Sequence, residues 1–310
     1  MADPRRGADL LDPASPSRSD GRTRHATVTP SVPAGTAPLF SFPEPSALAA
    51  RFAAADPFPH VVLDDLLGAD GVARLAGDFP TPDWPRWTRF NDRYQHQKMV
   101  CSDVLAMPPS LRTAILEMSA PRALDFLSEL TGIPKLIPDP YLEGGGLHAS
   151  GPGGVLAPHT DFHVYERLGL HRRLNVILYL NPRWEPGDGG ELVLFSDARA
   201  TRAAATVEPL GGRMVVFRTD HGSVHGFPDP VAPGRWRRSI ALYYYTAAET
   251  KGFSGDTNTY WRRHDETKGS SRVRFGAYRS LLFASKAFSH LAYRANPHFT
   301  PPVSGDDAET

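Results

Sequence analysis

The stretch LAPHTDFHVYERLGLHRRLNVILYLNP, Leu156 to Pro182, sets two polar residues, His159 and Asp161, at the head of a segment that soon turns apolar and strand-like. Side chains alternate along a strand, so His159 and Asp161 point together while Thr160 points away. A solvated loop is the plain explanation of such a pair. The sharper one is two legs of a metal site, with the third supplied by a later strand. An imidazole and a carboxylate so placed can take adjacent positions around one ion. A second histidine would complete the two-His-one-carboxylate face that leaves the opposite side open, an arrangement associated with non-haem Fe(II). His-X-Asp alone is a weak motif and needs this context.

The surrounding segments set that context. LIPDPYLEGGGLHAS, GGVLAPHTDFHV, RRLNVILYLNP, GGELVLFS, AAATVEPLGG, RMVVFRTD and RRSIALYYYT are short strand-like runs punctuated by Gly, Pro and Asp. No long helical pattern separates them, which argues against a parallel βαβ sheet and for a sandwich, jelly roll or barrel. Upstream, PSALAARFAAADPFP and GADGVARLAGDFP read as helices either side of a PHVVLDDLL strand. PPSLRTAILEMSAPRALDFLSELTGIP has helical spacing in two blocks, broken near Ser119 to Pro121. The expectation is an α+β protein with one domain over 41–297. Its parts are a mostly helical front (41–134), a β core (135–247), and a loop and amphipathic helix (248–297, the helix at Ala277 to Ala295). Residues 1–40, rich in Pro, Ser, Arg and Ala, are expected to be disordered, and 298–310 to form a loose tail.

Composition narrows the function classes. Hydrophobic residues make up 41% and charged residues 22% of 310, enough for a sizeable core. Lys+Arg and Asp+Glu both number 34, so no net field favours nucleic acid or an anionic membrane. No apolar run approaches the roughly 18 residues of a membrane span, and the N-terminus lacks the apolar region of a secretory signal. A single cysteine, Cys101, excludes an intramolecular disulfide and suits the cytoplasm. The glycine clusters EGGGLH and GPGGVL do not follow a strand and open a helix, which argues against a phosphate loop. Nothing in the sequence sets an oligomeric state.

Candidates for the third ligand lie in RTDHGSVHGFPDPV, where His221 and His225, four apart, share parity. Downstream, GRWRRSIALYYYT places Arg237 and Ser239 on one strand face. An arginine aimed into a strand-built pocket needs a partner for its charge, and the paired oxygens of a carboxylate ligand meet that need. Trp184, in NPRWEPGDGG, reads first as a plug at the end of the sandwich and second as a stacking surface for substrate. His171 to Arg173 read as a loop after the metal strand. There they are either a solvated turn or, through Arg172 and Arg173, a clamp for an anionic substrate group. Residues 251–270 read as an exposed charged loop or a lid.

Together these residues resemble the 2-oxoglutarate/Fe(II)-dependent dioxygenases, in particular the prolyl 4-hydroxylase-like branch. The likeness runs from about residue 55 to 247 through PFPHVVLDDLL, LTGIPKLIPDPYLEGGGLH, PHTDFH, HRRLNVILYLNPRWEPGDGGELVLF, SVHGFPDP and RRSIALYYYT, which match a bacterial subgroup in order and spacing. The resemblance implies a double-stranded β-helix (jelly roll, cupin-like) and metal ligands at His159, Asp161 and His225, with His221 left as a neighbour. It implies that Arg237 salt-bridges the far carboxylate of 2-oxoglutarate, with Ser239 beside it and Asn175 touching the co-substrate. Asp161 is retained where halogenating relatives carry a small residue, which implies a hydroxylase-type reaction.

The cofactors implied are Fe(II), 2-oxoglutarate and O2, with ascorbate as a reductant, and the products succinate, CO2 and an alcohol. A small metabolite such as an amino acid, sugar or antibiotic precursor is the expected substrate. The same iron site would also allow cyclisation, desaturation or epimerisation, and peptidyl proline is a further substrate class. A non-catalytic jelly-roll binding protein is the reading from another functional class.

Overall fold

The computed structural model describes residues 38–247 and 260–261, and helical positions 276–278, 280, 281, 283–285 and 288. The expected disordered extension (through residue 37), the tail and most of the suggested lid lie outside the described residues. In chain order the elements are α1 (Pro45–Ala54), β1 (His60–Leu63), α2 (Ala69–Gly77), β2 (Thr88–Phe90), β3 (Gln95–Cys101), α3 (Pro109–Met118) and α4 (Pro121–Thr131). There follow β4 (Ile137–Pro138), β5 (Gly146–Thr160), β6 (Val164–Tyr165), β7 (Leu170–Tyr179), β8 (Leu192–Phe195) and β9 (Ala203–Val207). The last are β10 (Met214–Arg218), β11 (His225–Phe227), β12 (Arg237–Thr246) and β13 (Tyr260–Trp261).

The strands pair antiparallel along the path β1-β10-β7-β12-β5-β11-β8-β9. β5 holds the fold together because it changes partners along its length. Its first residues, Gly146 to Ser150, pair with β12, whereas Leu156 and His159 pair with β11. The GPGG segment between them, Gly151 to Gly154, lets the strand pass from one sheet to the other. This is the double-stranded β-helix expected above.

Alternation along the central strands sorts their residues into two cores. On β7, β10 and β12, Leu174, Val176, Leu178, Met214, Val216, Ile240, Leu242 and Tyr244 face outward. They pack against α1, α3 and α4 through residues such as Phe52, Leu111, Met118 and Leu127. Tyr244 Oη also donates to the Met118 carbonyl at 2.9 Å. The opposite parity, with Tyr179, Val215 and Phe217, packs with Leu192 and Leu194 inside the roll. Burial on both faces explains why these strands read as near-continuous apolar runs. Each fully buried Leu or Phe adds about 1.5–3 kcal/mol of transfer free energy.

The helical blocks fall where expected, and both α3 and α4 start on a proline in the first turn. α4 ends on Gly132 in the left-handed region, φ 69°. The front third is less helical than expected, because β2 and β3 form a hairpin that extends the sheet beyond β5. The segment TRFNDRYQHQKMVC carries little apolar alternation at its outer end, so its strand character comes from pairing with β5 rather than from pattern. Among the described residues no helix is long and apolar enough to cross a membrane.

Candidate metal centre and adjoining pocket

The antiparallel register places His225 of β11 directly opposite His159 of β5. Their rings lie 4.5 Å apart between centroids. Asp161, one residue beyond β5, brings its carboxylate between them: Oδ1 is 3.6 Å from His159 Nε2 and Oδ2 is 3.4 Å from His225 Nε2. One potential ligand atom from each residue lies within 4.8 Å of the other two, and all three residues are buried.

The backbone sets the imidazole tautomers. His159 Nδ1 meets the Ala157 carbonyl and His225 Nδ1 the Ser223 carbonyl, each at 2.9 Å. A carbonyl only accepts, so each Nδ1 carries the proton and donates it, and a neutral ring then turns an Nε2 lone pair toward Asp161. Burial pushes His225 down to about 4 and keeps it neutral despite the nearby carboxylate. Both Nε2 atoms converge on the Asp161 carboxylate. Two imidazole nitrogens and a carboxylate oxygen converging in this way are a donor set that suits a divalent cation, so the residues fit a metal ion.

Asp161 is held from behind. Burial alone would raise its carboxyl, but Arg172, His225 and His159 outweigh that and hold it well below the usual carboxylate range. Arg172 Nη2 lies 3.2 Å from Asp161 Oδ2, and Asn175 Nδ2 donates to the same oxygen at 2.6 Å. Arg172 in turn donates through Nε and Nη2 to Asn175 Oδ1, at 2.9 and 2.6 Å. Its guanidinium carbon stands 3.4 Å from the Tyr243 ring centroid.

These positions correct one expectation. His171 to Arg173 lie on β7, not in a loop, and Arg172 is 1% exposed. The register of β7 against β12 passes from Leu174 to Arg172 while the partner advances one residue, so Arg173 is the extra residue of a bulge. That bulge turns Arg172 to the same side as Asn175, against the parity of a regular strand. Asn175, expected to touch the co-substrate, lines the cavity and hydrogen-bonds Asp161 and Arg172.

The centre opens into a cavity of about 590 Å3. Arg237 and Ser239 of β12 line it, as expected from their parity. Arg237 is 6% exposed, donates to the Gly190 carbonyl at 2.7 Å and to Tyr179 Oη at 3.0 Å, and lies against the rings of Phe227 and Tyr179. Both hydrogen-bond partners are neutral, and among the described residues none forms an ion pair with it; Glu191 acts on it only through space. A buried guanidinium left in this way fits an incoming carboxylate.

Residues 145–246 match the model of the 2OG-Fe(II) oxygenase superfamily. The matched segment includes the whole His159–Asp161–His225 trio and Arg237, and the superfamily's name carries the cofactor and co-substrate, Fe(II) and 2-oxoglutarate. Among solved structures, a Pseudomonas putida prolyl-4-hydroxylase is 21% identical, with 64% of this chain and 98% of that chain covered and a TM-score of 0.46. The epimerase SnoN of nogalamycin biosynthesis is 18% identical, covering 71% and 85%, with a TM-score of 0.49. HygX from Streptomyces hygroscopicus, solved with nickel, 2-oxoglutarate and hygromycin B, is 16% identical, covering 68% and 94%, with a TM-score of 0.42.

Trp184, Arg173 and His221, also expected as substrate contacts, do not line this cavity. Trp184 is buried and donates Nε1–H to the Gly189 carbonyl at 3.1 Å, beside the loop that supplies the Arg237 acceptor, so it acts as a plug. Arg173 faces away from the cavity. His221 is exposed and lies against the His163 ring, 4.4 Å between centroids, and not in the metal trio. Sequence reasoning missed Tyr179 as the partner of Arg237, although the shared parity of Asn175 and Tyr179 pointed to it. It also missed Lys98 and His148, which line the cavity from β3 and β5.

Proposed function

We propose that this chain is an Fe(II)/2-oxoglutarate-dependent dioxygenase that hydroxylates a C–H bond of a small metabolite, with release of succinate and CO2. The observation that carries the reading is Arg237, an enclosed cation without a carboxylate partner among the described residues, facing the same cavity as a His-Asp-His trio whose ligand atoms converge. Fe(II) with 2-oxoglutarate supplies the oxidative chemistry for an unactivated C–H bond. The chain's own residues supply position and exclusion. His159, Asp161 and His225 hold the metal on one face and leave the other to ligands. Arg237 and Tyr179 orient the far carboxylate of 2-oxoglutarate, with Ser239 on the same wall. Arg172 and Asn175 keep Asp161 ionised and aimed. Phe227, Ile177 and Leu192 make part of the cavity wall apolar, which limits water near the reacting atoms. The cavity volume falls within the range of small-molecule sites.

The test is Fe(II)-dependent O2 uptake coupled to succinate formation from 2-oxoglutarate. Asp161→Ala is expected to abolish both; retained succinate formation in that variant would count against the assignment. Arg237→Met is expected to raise the 2-oxoglutarate requirement by roughly 30- to 1000-fold, as loss of a buried charge-assisted pair does, with a smaller effect on turnover at saturation.

A further inference from the structure

The cavity holds a cation that neither the metal trio nor the co-substrate anchor uses. Lys98 of β3 lines it, half-buried, and its Nζ donates to Gln95 Oε1 at 3.0 Å. Among the described residues it forms no ion pair; Asp161 and Asp92 act on it only through space, and burial pushes it down to about 8. The sheet register fixes its place. Phe90, Lys98, Ser150 and Arg237 stand side by side on β2, β3, β5 and β12. Lys98 is thus two strand spacings from Arg237, roughly 9–10 Å along the wall.

The backbone is distorted where it presents this side chain. Gln97 has φ 50°, in the left-handed region, and the register of β3 against β5 shifts between His96 and Lys98. As a result Gln95 and Lys98, three apart and of opposite parity, both line the cavity. A non-glycine residue in that conformation costs free energy, and the result is an amide and an ammonium side by side at the metal cavity.

Charge accounting indicates what they face. Arg172 is paired with Asp161, and Arg237 is assigned to the far carboxylate of 2-oxoglutarate. Among the described residues that line the cavity, Lys98 is then the half-buried cation with no assigned partner, on the β2–β3 side and away from the co-substrate anchor; Arg86, Asp103 and Glu143 also line it but are exposed. We propose that Lys98, with Gln95, receives an anionic oxygen group of the primary substrate, so that the substrate is a small carboxylate or phosphate monoester. This rests on the oxygenase reading and deepens it by naming a substrate class.

The experiment uses the full chain loaded with Ni(II) and 2-oxoglutarate, and a set of matched metabolite pairs. Each pair is a carboxylic acid with its primary amide, or a phosphate monoester with its parent alcohol. Binding is read as a shift in Tm, and in parallel each compound is tested with Fe(II) for stimulated succinate formation. The expected result is that acid members of one type, carboxylate or phosphate, raise Tm and stimulate turnover while their neutral partners do not. In Lys98→Met the Tm shift disappears and kcat/KM for the acid falls roughly 10- to 100-fold. Lys98→Arg keeps most of both, and the KM for 2-oxoglutarate in either variant stays within about twofold. Equal response to neutral members, or no Tm shift from any acid, overturns the proposal. A rise in the 2-oxoglutarate KM in Lys98→Met does so too, by assigning the lysine to the co-substrate. Acid-specific Tm shifts without any 2-oxoglutarate turnover would uphold the anion subsite and reject the oxygenase reading.

Discussion

Asp161 carries three demands at once: it must stay ionised in a buried site, keep one orientation and leave an oxygen for a metal. Arg172 meets the first with its charge, and Asn175 meets the second with a 2.6 Å hydrogen bond. Neither needs to touch a ligand for the centre to depend on it. Arg172→Met is therefore expected to lower metal affinity by roughly 10- to 100-fold, the range found when partners of metal ligands are removed. The measurement is a Mn(II) titration of the apo-protein, with circular dichroism to check folding. Unchanged affinity would show that Asp161 is oriented without the arginine. The ligands themselves were legible from His-X-Asp and a later histidine; Arg172 was not. Its role follows from the bulge at Arg173, and a bulge leaves no alternation to read.

At the scale of elements, the metal centre is the seam between β5 and β11, and close backbone approach holds that seam. A Cβ on Gly226 would lie 2.8 Å from the Leu156 carbonyl oxygen and 3.0 Å from Pro158. Gly226→Ala is expected to push β11 off β5 and draw His225 away from His159. Metal affinity should fall by about tenfold or more while Tm falls by only a few degrees, because the strand is short and the larger core lies elsewhere. Calorimetric metal titration beside a thermal melt checks both. A Gly226→Ala protein with full affinity would mean that the two strands can separate slightly without cost to the centre. The strands of this seam were legible from apolar runs and punctuation. The β2–β3 hairpin was not, because its outer residues are polar and gain strand structure from the partner they pair with.

Across the whole molecule, the fold gathers cations and histidines into one cavity, and this makes stability depend on pH. Burial, reinforced by the charges of Lys98 and Arg237, pushes His148 down to about 3. The unfolded chain protonates this histidine near its ordinary value, roughly 6.5, while the folded chain resists until near 3. Its contribution to stability is therefore complete above about pH 6.5 and is lost as pH falls through that window. His225, down to about 4 for the same reason, adds a slope of the same sign. The apo-protein's Tm is expected to fall between pH 6.5 and 4.5, and His148→Gln to flatten part of that fall. A pH-independent Tm over this range would contradict the burial of both rings.

Local chemistry in the sequence determined the alternating strands, the proline-started helices, the His-X-Asp pair and the inward parity of Arg237, because each depends on neighbours within a few positions. The resemblance at SVHGFPDP already favoured His225 over His221, but only the tertiary structure decided that its ring stands directly opposite His159, since cross-strand register is a property of two segments far apart in the chain. The tertiary structure also decided that Arg172 turns inward to Asp161, that Tyr179 meets Arg237, and that Lys98 stands in their row. Bulges and a left-handed residue reset side-chain direction at these places, and the energy that maintains them comes from packing of the whole roll.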